Sequence, residues 1–67
     1  MQITMRAART NCSLTQKQAA EQFGVHYQTL AKWERDNSRM PYNMIAKIES
    51  VYGVSPDNIF FGVTKRD

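Results

Sequence analysis

Thr15–Arg35 reads TQKQAAEQFGVHYQTLAKWER, two helix-forming runs on either side of one glycine. Gly24 takes a positive φ without the steric cost other residues meet, so the spacing predicts a helix that stops at Phe23 and a tight turn after it. The start of that helix is marked too. Thr15 can accept from the amide of Gln18 while the Gln18 side chain reaches back to the amide of Thr15, a capping box ahead of AAEQF. After the turn Val25 is apolar and His26 is expected to begin a second helix, with Leu30 and Trp33, three apart, facing inward. Ala19 and Ala20 fall where the two helices cross, and their small side chains allow close approach at a steep angle.

The opposite face of the second helix carries Tyr27, Gln28, Ala31, Lys32 and Arg35. It holds a phenol, an amide and two cations, with no carboxylate. A solvated face more often pairs Glu with Lys, so this one reads as a surface for contacting a polyanion, the plain alternative being a set of solvated side chains. Trp33, at helical spacing from Leu30, reads as a core ring in preference to a base-stacking one.

The order Leu14-Thr15-Gln16, Ala19-Ala20, Phe23-Gly24-Val25, Thr29-Leu30 and Trp33-Glu34 resembles the lambda-repressor-like, Cro/XRE-type helix-turn-helix family of phage and bacterial regulators. The likeness extends, more loosely, from about Met5 to Phe61. It implies an all-α domain of five helices whose second and third helices form the helix-turn-helix, and it implies double-stranded DNA as partner.

With 67 residues the chain holds one domain, spanning 1–67 with a core of about 3–62 and a polar tail from Val63 to Asp67. Such a small core supplies only about 3–5 kcal/mol without disulfides, metal or a partner, and dimerisation would add to it. The single cysteine, Cys12, has no internal partner and reads as a free thiol between helices, as suits a reducing cytosol. No apolar run approaches the ~18 residues of a membrane span, and MQITMRAART lacks the apolar middle of a secretion signal, so the expected location is cytoplasmic. Of the net charge of +3, all lies in Met1–Arg39, where six cations face three acids; the remainder balances. The excess lies in the part that contains Thr15–Arg35, as a polyanion partner requires.

Along the chain, Ile3 to Asn11 is expected to form the first helix, with Ile3, Met5, Ala8 and Cys12 inward. Leu14 plugs the gap before the second. Asp36 to Pro41 is a loop by composition. Met44, Ile45, Ile48, Val51 and Tyr52 make an amphipathic stripe ended by Gly53, a fourth helix. Ser55-Pro56-Asp57 then marks a cap and first turn of a short fifth helix running through Ile59-Phe60-Phe61 to Gly62. The expected core is Leu14, Phe23, Val25, Leu30, Trp33, Ile45, Ile48, Val51 and Ile59. Phe60 and Phe61 cannot both point inward on a helix, so one is expected to be exposed as a homodimer contact.

In this architecture the N-terminal part of the second motif helix meets base edges, which designates Tyr27, Gln28 and Lys32. Gln28 can bond adenine N6 and N7, Lys32 can donate to guanine O6 or N7, and Tyr27 can donate to an acceptor or lay its ring on a thymine methyl. Gln16 sits at a positive helix end that favours anions. The resemblance implies phosphate contacts at Gln16, Asn37, Ser38 and Arg39, with Lys17 and Arg35 as electrostatic helpers. It also implies an ion pair between Arg9 and Glu34. At His26 the family often has Ser or Thr as a helix cap; a histidine there either caps poorly or places a second ring beside Tyr27 on a phosphate or base, with binding then sensitive to pH near 6–7.

One histidine and one cysteine make no metal-ligand set, the acids are too scattered for a catalytic pair, and no glycine-rich phosphate loop is present. The chain therefore reads as no enzyme, with no cofactor, metal or small-molecule ligand. The competing reading is an antitoxin or adaptor that keeps the fold but chiefly binds protein, through Tyr42 and the exposed member of Phe60–Phe61.

Overall fold

A computed structural model describes residues 2–63. It is all-helical: α1 (Met5–Asn11), α2 (Gln16–Phe23), α3 (Tyr27–Arg35), α4 (Tyr42–Ile45), α5 (Ile48–Tyr52) and a 3-10 turn, Pro56–Asn58. Among the described residues the only β-type pairings are two isolated bridges, Ile3 with Ile59 and Asp36 with Val63. Thr64 to Asp67, expected as most of the polar tail, lie outside the described residues.

The motif forms as its capping chemistry dictates. The Thr15 hydroxyl accepts from the Gln18 amide at 3.1 Å, and the Gln18 side chain accepts from the Thr15 amide at 2.9 Å. Gly24 closes α2 at φ 80°, with its N–H on the Ala20 and Glu21 carbonyls. Lys47 adds a further partner, its Nζ donating to the Phe23 carbonyl at 3.2 Å. That contact satisfies an acceptor left open at the end of α2 and ties it to the segment between α4 and α5. Ala19 and Ala20 are buried at the α2–α3 crossing.

Phe23, Leu30, Trp33, Ile48 and Ile59 are buried, and Leu14, Val25, Ile45 and Val51 pack half-buried around them. Phe23 sits edge-on to both Trp33 and Tyr52, at ring separations of 6.3 and 5.5 Å. Met40, which composition assigns to a loop, is also buried.

Three boundaries differ from expectation. Thr4 caps α1 through its hydroxyl, so Ile3 lies outside the helix and pairs with Ile59 instead. The expected fourth helix is two pieces, because at Lys47 the amide bonds Met44 three residues back, which tightens the chain into a turn before α5. The expected fifth helix is one 3-10 turn. Beyond it the Phe60 amide donates to the Ile3 carbonyl at 2.8 Å, so Ile59–Phe61 is extended. Both aromatic rings are consequently part-exposed, Phe60 at 39% and Phe61 at 36%, where a helix would have hidden one.

Candidate nucleic-acid interface

The geometry of α3 follows from its cap. His26 is the residue before the helix, with extended backbone, and its Nδ1 accepts from the Gln28 amide at 3.1 Å. An accepting Nδ1 assigns the ring proton to Nε2, which is then a donor. The same ring stacks on Tyr27 at 4.6 Å and 28°, and the Lys17 ammonium stands 5.3 Å from the Tyr27 centroid. One imidazole therefore both caps the helix and orders a phenol beside a cation.

Leu30, Trp33 and Glu34 form the buried side of α3, while Tyr27, Gln28, Lys32 and Arg35 are exposed and Ala31 is half-buried. Lys32 and Arg35 also lie in the last turn, where the helix dipole favours cations.

Behind this helix lies a buried polar hub. Arg9 Nε donates to Glu34 Oε2 at 2.6 Å, with the two side chains 12% and 5% exposed. Arg9 Nη1 donates to the Leu14 carbonyl at 2.7 Å, and Gln16 Nε2 to Glu34 Oε1 at 3.0 Å. Charge, amide and carbonyl thus join α1, the α1–α2 connection, α2 and α3. Removing one ionic partner would strand the other in a nearly dry site, at about 3–5 kcal/mol. Tyr52 packs nearby: its phenol ionises less readily than usual, first because it is buried and then because of the Glu34 charge. Its hydroxyl has no hydrogen-bond partner among the described residues. Cys12, exposed at the end of α1, donates its thiol hydrogen to the Tyr52 carbonyl at 3.2 Å.

A family model for helix-turn-helix proteins, of the Cro/C1 type, matches residues 5–59. The chain belongs to this helix-turn-helix family. It is a family of DNA-binding regulators that take double-stranded DNA as partner. No curated protein matches the sequence closely.

Within this helix-turn-helix domain two of the residues expected at phosphates are otherwise engaged. Asn37 is 4% exposed; its Nδ2 donates to the Phe60 carbonyl at 3.1 Å and its Oδ1 accepts from the Gly62 amide at 2.9 Å. Its side chain is buried against the C-terminal segment, which takes its Oδ1 and one of its two Nδ2 hydrogens. Ser38 places both its amide and its hydroxyl hydrogen on Asp36 Oδ1, at 3.0 and 2.7 Å. Those bonds hold the Asp36 carboxyl below its ordinary range and occupy both the amide and the hydroxyl hydrogen of Ser38. Gln16 keeps one N–H beyond its bond to Glu34, and Lys17, Arg35 and Arg39 remain exposed.

The sequence reading missed three participants. The reach of Lys47 to the α2 terminus has no local signal, since it depends on α5 packing beside the turn. Tyr52 is visible as an apolar stripe member, but its place beside the ion pair is not. Met40 carries only loop-forming neighbours.

No helix among the described residues is long and apolar enough to cross a membrane, and no group of His, Cys, Asp and Glu among them could hold a metal ion.

Proposed function

We propose that this protein is a cytoplasmic, sequence-specific transcriptional regulator of the small repressor type, binding a symmetric operator as a homodimer. The observation that carries this reading is the outward row Tyr27, Gln28, Lys32 and Arg35 on a helix whose inner side is locked by Leu30, Trp33 and the Glu34 ion pair. A helix held so firmly can enter the major groove with its first turn against base edges. Gln28 then reads adenine, Lys32 guanine, and the Tyr27 hydroxyl an acceptor. Phosphates fall to Lys17, Arg35, Arg39, the second N–H of Gln16 and the Nε2–H of His26.

The dimer contact in this reading is the strip containing Phe60, Phe61 and Val63, beside a groove of about 550 Å³ that Tyr42, Ile45 and Pro56 help to line. Tyr42 is 86% exposed. Its occupant is a second copy, because Asp57 is the one charged group lining the groove, so two such faces meet across a two-fold axis with little like-charge opposition.

Titration of random-sequence duplex at several salt concentrations tests the DNA-facing assignment. Affinity should fall steeply with salt, and Arg35→Ala should reduce the slope of log K against log salt by about one per protomer. Binding that ignores salt, or a slope untouched by Arg35→Ala, would contradict it.

A further inference from the structure

Asn37 does more than fill space at the end of α3. It lies two residues beyond Arg35, and its side-chain amide makes the paired bonds that a neighbouring strand would make, to the Phe60 carbonyl and the Gly62 amide on either side of Phe61. The Asp36–Val63 bridge continues the pairing in main chain. The same segment is also held by Ile3, whose amide donates to the Asn58 carbonyl and whose carbonyl accepts from Phe60. Gly62 completes the arrangement at φ 146°, with the Phe60 ring 3.1 Å from where a Cβ would stand. The segment displaying Phe60, Phe61 and Val63 is therefore fastened to the loop that leaves the proposed recognition helix.

From this geometry we propose that Asn37 is a positioning residue that sets the distance and angle between the DNA-reading helix and the contact with a second copy. It thereby sets which half-site spacing the dimer accepts. The proposal rests on the homodimer reading above. A buried, doubly bonded amide suits the task because each end has one complementary partner: a carboxylate would oppose the Phe60 carbonyl, and an apolar side chain would leave both backbone groups open.

The test uses a symmetric site recovered with the wild-type protein, the same site with one base pair inserted or removed between its halves, and one isolated half-site. Wild type should prefer the native spacing. Asn37→Asp should keep half-site affinity within about twofold yet lose about tenfold on the native full site, with its spacing preference flattened. Gly62→Ala keeps the Asn37 side chain and disturbs its bonding partner from the other side, through the Phe60 ring, and should give the same pattern; it decides the matter if Asn37→Asp fails to fold. Equal losses on half-site and full site, or an intact spacing preference in the folded variant, would overturn the proposal. A wild type that shows no preference for full site over half-site would overturn the dimer reading itself, and the proposal with it.

Discussion

His26 shows how much one side chain can settle. Sequence reasoning left two roles open for it, a poor cap or a second ring beside Tyr27 on a phosphate or base; in the structure its Nδ1 caps the helix and its face stacks on Tyr27. A helix cap is worth about 1 kcal/mol. His26→Ala should lose about that much in denaturant unfolding, and His26→Ser should recover it while abolishing the Tyr27 stack. Equal stability in all three would mean that the bond to Gln28 contributes nothing. Tyr52 carries a second prediction. Its phenol is harder to ionise folded than unfolded, so its contribution is complete below the unfolded value of about 10 and is lost as pH rises beyond it. Tyr52→Phe should match or exceed wild-type stability at neutral pH, by up to about 1 kcal/mol, and its advantage should widen above pH ~10. A melting series over pH 7 to 11 reads both.

At the scale of elements, the helix-turn-helix was legible because its determinants are local: the capping box, Gly24, the paired alanines, and Leu30 with Trp33 all act within a few residues. The second half was legible in polarity and not in geometry. A stripe from Met44 to Tyr52 fits one helix, and nothing between Ala46 and Ile48 marks the tightening at Lys47 by residue type. Similarly, Ser55-Pro56 announces a helical start correctly, but Ile3 claims the Phe60 amide from the far end of the chain and draws Ile59–Phe61 into extended form. The intramolecular bonds of Asn37 were not legible for the same reason, since its partners lie 23 and 25 residues away. The proposed function rests most on α3. Gln28→Ala should lower discrimination at one operator position by about 1–3 kcal/mol while leaving binding to unrelated duplex nearly unchanged. Competition between the selected site and single-base variants measures this, and a uniform loss over all sequences would remove Gln28 from base reading.

For the whole molecule, the Arg9–Glu34 hub holds α1, α2 and α3 together, while Asn37 and Ile3 fasten the C-terminal aromatic strip to them. A small domain arranged this way reads few base pairs alone, and a two-fold partner would double the site at a spacing of about 34–36 Å. The most direct test is enrichment of random duplex DNA by the purified protein at about 150 mM salt, where non-specific binding is weak. The account predicts a symmetric consensus of two short half-sites about one helical turn apart. A folded protein that enriches no sequence would contradict it and favour a domain that uses its aromatic strip to bind protein.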